Sequence, residues 1–233
     1  MAGGNGELKL VGQWASPFVT RVKLALNLKG LSYEYVEEDL RNKSDLLISN
    51  PVNKAVPVLI HNGKPICESW VILQYIDEAF AGAGPSLLPA DPYERAVARF
   101  WVAYIDDKLA APWDRVFRAK TDEERAEAMR QLFAAAEALE GGLKECSKGK
   151  DFFGGDSVGY VDIVLGSVVS WVKATSVLAG AELFNAAKMP LLAAWMKRFG
   201  ELDVAKAVLQ DVDSLVEHGR MLMAKNAARA SSN

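Results

Sequence analysis

The chain has 233 residues, half of them hydrophobic and 24% charged, which fits one large or two small globular domains around a substantial core. Its net charge is −3 and no block of Lys/Arg is interleaved with aromatics, which argues against nucleic acid as the main partner. Residues 7 to about 80 alternate strand and helix. Leu8–Val11 reads as a strand, Pro17–Leu28 as a helix ending near Gly30, and Tyr33–Val36 as a second strand. Ser44 can cap a short helix through Ile48. Val58–Ile60 and Pro65–Cys67 flank Asn62-Gly63, a hairpin turn signal, and a helix follows over Ser69–Ala79. The order β-α-β-α-β-β-α predicts a compact α/β layer.

Ala81–Pro92 holds Gly82, Gly84, Pro85, Pro89 and Pro92 and reads as a linker, residues 81–92, after a first domain of residues 1–80. From residue 93 to 233 the pattern is helical throughout. Tyr93–Phe117 is one stretch, and Thr121 opens another with a capping-box pattern, running to about Cys146. Gly154-Gly155 breaks the chain before an apolar helix over Val161–Leu178. Pro190 starts a helix through Leu202, and the last spans Val212–Ala228. Residues 3–6 and 227–233 read as loose ends.

Cys67 and Cys146 form no Cys-x-x-Cys or zinc-like spacing, which points to a reducing compartment. His61 and His218 are too few for a histidine metal cluster. The N-terminus lacks a signal peptide, and no apolar run of the roughly 18–20 residues that span a bilayer stands out. The expectation is a cytosolic protein with no membrane partner.

Four segments carry chemistry. Trp14-Ala15-Ser16-Pro17-Phe18 joins the first strand to the first helix. Ser16 reads as an N-cap, and the same helix end favours an anion that its hydroxyl could hold. Val56-Pro57 precedes the hairpin; the bond is either an ordinary trans one or a cis one that turns the Val56 backbone outward to pair with an extended ligand. Glu68-Ser69 opens a helix, with Ser69 a plausible cap and the pair a plausible site for a ligand carboxylate and ammonium. Lys43, in Asp39–Lys43, is a solvated lysine or a partner for a second carboxylate. Together they describe a short zwitterionic peptide lying along a strand edge, with its nucleophile beside Ser16.

These segments resemble the glutathione transferases, and within them the plant tau class. The likeness runs through Trp14–Phe18, Arg21–Leu26, Glu37–Ser44, Asn50–Lys54 and Val56–Ser69, and continues in Asp91–Arg95 and Phe153–Asp156. It implies an α/β thioredoxin-like N-terminal domain, an all-α C-terminal domain and a homodimer. It implies that Ser16 is the catalytic serine, that Pro57 is the cis-proline, and that Lys43, Val56, Glu68 and Ser69 contact glutathione. Lys54 is a further candidate, one position early. Relatives often carry lysine directly before the Val/Ile-Pro pair, where this chain has Ala55, and a one-residue shift in extended chain turns a side chain to the other face. Gly159-Tyr160-Val161-Asp162 resembles the buried capping box of the superfamily; glycine removes the cap hydroxyl, and Asp162 keeps a structural role.

Glutathione is then a co-substrate, and no permanently bound cofactor is expected. A serine hydroxyl is too weakly acidic to act as a base at pH 7, so Ser16 is expected to donate a hydrogen bond to the thiolate and keep it ionised. Phe18, Ala110, Phe117, Trp171 and His218 are candidates for an apolar electrophile pocket, with core packing the competing reading of each aromatic. Small Ala110 suggests a roomy pocket. A thiol-disulfide reductase would need a cysteine at position 16. The remaining alternative is a non-catalytic carrier of apolar ligands.

Overall fold

The computed structural model describes residues 7–48 and 54–230. The first part contains β1 (Leu8–Gly12), α1 (Pro17–Leu28), β2 (Glu34–Glu37), α2 (Asp45–Ile48), β3 (Val58–His61), β4 (Lys64–Cys67) and α3 (Ser69–Ala79). The sheet order is β2-β1-β3-β4. β2 runs parallel to β1, with Leu10 opposite Tyr35, while β3 pairs antiparallel with β1 and β4. The βαβ crossover and the hairpin expected from the sequence are both present, and this is the thioredoxin-like layer. Residues 50–53, part of the resemblance, lie outside the described residues, as do 1–6 and 231–233.

The second part contains α4 (Pro92–Tyr104), a π-helical segment (Ile105–Ala110), α5 (Ala111–Arg118), α6 (Asp122–Ser147), α7 (Tyr160–Gly166), α8 (Val169–Ala179), α9 (Pro190–Glu201), α10 (Asp203–Lys206) and α11 (Val212–Ala230). The stretch expected as one helix over Tyr93–Phe117 is therefore α4, the π turn and α5 in succession. Pro112 supplies the reason: it has no N–H for the carbonyl one turn back, and the ladder widens so that the Ala111 N–H bonds Asp106 O. The helix expected over Val161–Leu178 is interrupted at Ser167-Val168. Residues 227–230, expected as a loose end, belong to α11. The short α10 gave no periodic signal in the sequence.

Tyr160–Ala179 is long and apolar enough to cross a membrane by length and composition, contrary to the sequence expectation, yet 78% of its most apolar window is buried inside the fold. This run of α7 and α8 lies in the core of the helical part, with Ile163, Leu165 and Ala174 at 0% exposure. Asp162, also at 0% exposure, accepts from the backbone N–H groups of Phe153, Gly154 and Gly159 and from Trp195 Nε1, all at 2.8–3.0 Å. Burial pushes its carboxyl up, while four donors that accept nothing favour the ionised form. The bond back to Gly159 N is the structural role expected for Asp162.

The linker is fastened by Asp77. Its carboxylate pairs with fully buried Lys29 at 2.8 Å and accepts from Leu87 N at 2.9 Å and Leu88 N at 3.0 Å. Burial raises the Asp77 carboxyl, but Lys29 and the two amides outweigh it and hold the group below the usual carboxylate range. A folded-state value below the unfolded one stabilises above the unfolded pKa and is lost as pH falls. Asp77→Asn, which leaves Lys29 buried without its counter-charge, should cost about 3 kcal/mol. Thermal melts should show this loss at pH 7 and a smaller difference from wild type below about pH 4, where the wild-type carboxylate takes up its proton.

Candidate active site

Ser16 caps α1. Its backbone is extended (φ −75°, ψ 118°), Pro17 fills the first turn, and its Oγ accepts the Val19 N–H at 3.4 Å. No acidic residue occupies that first turn, so the positive end of the helix is left for an outside anion. The cap uses a lone pair of the hydroxyl and leaves its proton to be donated elsewhere. The two sequence readings of Ser16, cap and anion holder, are thus compatible in one rotamer.

The loop ahead of Ser16 is held by its neighbours. Ser16 N donates to Gln13 O at 3.0 Å and Ala15 N to Gln13 Oε1 at 3.1 Å. Trp14 N donates to Glu37 Oε1 at 2.9 Å, and Tyr35 Oη donates to the other oxygen of that carboxylate at 2.5 Å. Trp171 Nε1, from α8, donates to Ala15 O at 2.7 Å. Gly12 precedes this loop because a Cβ there would lie 2.5 Å from Val19 Cγ1.

The Val56–Pro57 bond is cis. Pro57 is buried and Val56 half-buried at the start of β3. Across the hairpin, Glu68 has φ +67°, a left-handed conformation that a side chain rarely adopts and that clusters at functional sites. Ser69 is the first residue of α3 rather than its cap; Glu68 occupies the cap position and makes no side-chain cap bond. Arg21 Nη1 donates to the buried Ser69 hydroxyl at 3.2 Å. Lys43 and Lys54 are exposed, and the Lys43 ammonium donates to Lys54 O at 2.6 Å, which ties together the two loops expected to meet one ligand end. Buried Glu38 sets the Lys43 loop by accepting Ser44 N at 2.6 Å and Ser44 Oγ at 2.7 Å.

Sequence reasoning assigned no role to Arg21, Asp106 or Glu38. Arg21, at 0% exposure, also donates to Asp106 Oδ2 at 3.1 Å, to Asp106 Oδ1 at 2.5 Å and to Ser167 Oγ at 3.4 Å. The signal was present: Arg21 falls on the buried phase of α1 beside Val22, Leu24 and Ala25, where an unpaired charge is not tolerated. Pro112 likewise marks the irregular turn that carries Asp106.

The electrophile candidates separate. The Phe18 ring covers the Arg21 guanidinium at 4.7 Å. Trp171, Phe117 and Ala110 are buried at 2%, 4% and 7% exposure, as the core reading would have them. His218 is half-buried, edge-on to Trp14 with ring centroids 5.4 Å apart and 6.2 Å from Trp171. Burial and the nearby Arg41 push its imidazole pKa down. Ala110 lines, with Trp113 and Trp171, a cavity of about 20 Å³, space for one water. A larger groove of about 670 Å³ runs past Trp70, Arg99, Phe100, Tyr104 and Asp106. Among the described residues no group of three or more His, Cys, Asp and Glu is placed to hold a metal.

The glutathione S-transferase N-terminal domain family model matches residues 6–78, and the C-terminal domain model matches residues 93–203. A probable glutathione S-transferase, GSTU6, of Oryza sativa subsp. japonica is 55% identical over 97% of this chain and 99% of its own. The crystal structure of a tau class glutathione S-transferase from mango, Mangifera indica, matches with TM-score 0.88 and 43% identity over 93% of this chain and 98% of its own. A rice enzyme, OsGSTU1, solved in complex with glutathione, matches with TM-score 0.87 and 39% identity over 96% of this chain and 99% of its own.

Arg21→Lys tests the junction of Ser69, Asp106 and Ser167. Lysine keeps the charge but loses the fork, so it cannot reach all three partners. The expected result is a loss of about 1–3 kcal/mol in urea unfolding, together with weaker glutathione binding by calorimetry as the Ser69 hydroxyl loses its anchor.

Proposed function

This chain belongs to the glutathione S-transferases, with the sequence and fold of the tau class, and from that premise we propose that Ser16 donates the hydrogen bond that holds glutathione as its thiolate. The protein is a glutathione transferase, and conjugation of electrophiles in detoxification is the typical role of its relatives. The observation that carries the assignment is the Ser16 hydroxyl, which accepts the Val19 N–H at 3.4 Å at the unneutralised positive end of α1 and so has its proton to give.

A free thiol has a pKa of about 8.5, so at pH 7 only a minor fraction is nucleophilic. Hydrogen bonding to the charged form lowers that value, at about 1.4 kcal/mol per unit. The thiolate then attacks an electrophilic carbon held beside it. In aromatic substitution the new C–S bond forms and the halide leaves with its bonding pair; in addition, the carbanion centre takes a proton from solvent. Lys43 meets the glycine carboxylate of glutathione, with Lys54 alongside. The Val56 backbone pairs with the peptide, Glu68 with the ammonium and Ser69 with the γ-glutamyl carboxylate. Trp14 (38% exposed), Phe18 and His218 form the open edge of the electrophile site, over the buried Trp171 and Phe117 that pack behind it.

Further parts of the reading are the domain limits, with residues 1–80 binding glutathione and residues 93–233 the electrophile, a homodimer and a cytosolic location. Dimerisation is supported by exposed Trp70 (44%) and Phe100 (59%) on one groove. The location is supported by Cys67 and Cys146, which form no disulfide with each other.

The test is turnover of glutathione with a chromogenic aryl halide by wild type and Ser16→Ala, with ultraviolet titration of the bound thiol. Ser16→Ala should lose about 10²-fold in kcat with little change in glutathione affinity, raise the thiol pKa, and lower stability by about 1 kcal/mol through the lost cap. Undiminished turnover would refute the assignment. Tight binding of apolar ligands by a wild type without turnover would favour the carrier reading instead. Trp70→Glu with Phe100→Glu should shift the mass seen by light scattering from dimer to monomer; an unchanged mass would place the subunit contact elsewhere.

A further inference from the structure

The carbonyl oxygens of Trp14, Ala15 and Ser16 are each held by a donor; one residue between α10 and α11 holds the first directly and, through the Thr20 hydroxyl, adds a second bond to Ser16 O beside the Thr20 N–H at 3.1 Å. Gln210 Nε2 lies 2.9 Å from Trp14 O and 2.7 Å from Thr20 Oγ1. The Thr20 hydroxyl lies 3.2 Å from Ser16 O, an acceptor only, so its proton goes there and its lone pair faces the amide. The order is Gln210 N–H to Thr20 O–H to Ser16 C=O, in a chain whose members polarise one another. Two consecutive residues of α8 set the frame: Ser170 Oγ holds Gln210 O at 2.8 Å and Trp171 Nε1 holds Ala15 O at 2.7 Å.

A second feature marks this amide. Gln210 Oε1 is buried and accepts no hydrogen bond among the described residues. Such an orphan acceptor is costly. Turning the amide over would place Oε1 against Trp14 O, acceptor against acceptor, so the two contacts of Nε2 fix the orientation that leaves Oε1 unsatisfied. The amide is oriented for the Ser16 loop and not for its own satisfaction.

We propose that Gln210, with Thr20 as its relay, is a positioning residue for Ser16: it holds the Trp14 carbonyl, reinforces the hold on the Ser16 carbonyl, and so fixes the hydroxyl that serves the thiolate. The physical ground is electrostatic. A carbonyl oxygen that swung toward the sulfur would put the negative end of a dipole beside a developing anion. Donors that hold those oxygens in place are pre-organised, with nothing left to reorient when the thiol ionises. The inference rests on the reading of Ser16 as donor to the thiolate.

The experiment compares Gln210→Met, Thr20→Val, Thr20→Ser and Ser16→Ala with wild type. It reads kcat, KM for glutathione, the pKa of the bound thiol and the melting temperature. Methionine fills the site, donates nothing and removes the orphan oxygen. A merely structural glutamine would lower melting temperature and kcat together. The expected result is a melting temperature unchanged or higher, kcat down about tenfold, KM within about twofold, and a bound-thiol pKa higher by about one. Thr20→Val should shift kcat and the thiol pKa in the same direction, and Thr20→Ser should recover most of that loss. Wild-type kcat and thiol pKa in both Gln210→Met and Thr20→Val, with Ser16→Ala impaired, would overturn the inference and leave the Ser16 reading standing. Loss of stability and turnover in Gln210→Met, with Thr20→Val silent, would also overturn it. An unchanged thiol pKa in Ser16→Ala would bring down both.

Discussion

A guanidinium at 0% exposure is the constraint around which this molecule is arranged. Removing Arg21 from water is expensive, and the cost is met only if its planar fork is fully used. Asp106 takes two of its N–H groups, Ser69 a third direction and Ser167 the Nε, while the face of Phe18 lies over its carbon. Ser69 comes from α3 of the same layer, whereas Asp106 and Ser167 come from the π turn and the α7–α8 junction, so one side chain ties the thioredoxin-like layer to the helical part at two places. The same bonds fix Ser69, and with it the start of the helix that follows strained Glu68. Stability and site geometry are therefore one problem at this position.

Two of the buried carboxylates, Asp162 and Asp77, solve the same problem with backbone donors. Asp162 draws in Phe153, Gly154 and Gly159, and closes the loop before α7 onto its own helix. Asp77 draws in Leu87 and Leu88 and closes the linker onto α3. In each case a charge stands where several amides converge on it, so irregular chain is fixed without regular secondary structure. Tyr160 continues the seam: its hydroxyl donates to Trp70 O at 3.1 Å and its N–H to Leu87 O at 2.8 Å. The relative placement of the two parts thus rests on polar bonds as well as apolar area.

What was legible in the sequence follows from this division. Elements announced by local rules were found where expected: the Asn62-Gly63 hairpin, the Ser16 and Thr121 caps, and the amphipathic α6. The N-terminal motifs also led to the cis bond at Pro57. The residues left without a role are those whose partners are remote in sequence. Arg21 and Asp106 lie 85 positions apart, and Gln210 and Trp14 lie 196 apart. No period or cap rule joins such pairs; only the buried phase of Arg21 on α1 and Pro112 within a helix hinted at them. Ser69 shows the opposite error. Its place at a helix start suggested a cap, but the nearby guanidinium claimed its hydroxyl.

An aromatic cluster backs the loop that carries Ser16. Trp113, Phe117 and Trp171 meet edge to face with centroids 4.9–5.5 Å apart, a packing that leaves little room to yield. The small side chain of Ala110 is compensated by this cluster, and the remaining gap is about 20 Å³. Trp171 cannot swing out without breaking its 2.7 Å bond to Ala15 O, which would loosen the loop that presents Ser16. Trp14 and His218 meet edge to face at the rim of this cluster, two residues along the chain from Ser16 in the case of Trp14. The aromatic cluster and the Ser16 loop share one hydrogen bond, so changes that reshape the cluster also act on the loop.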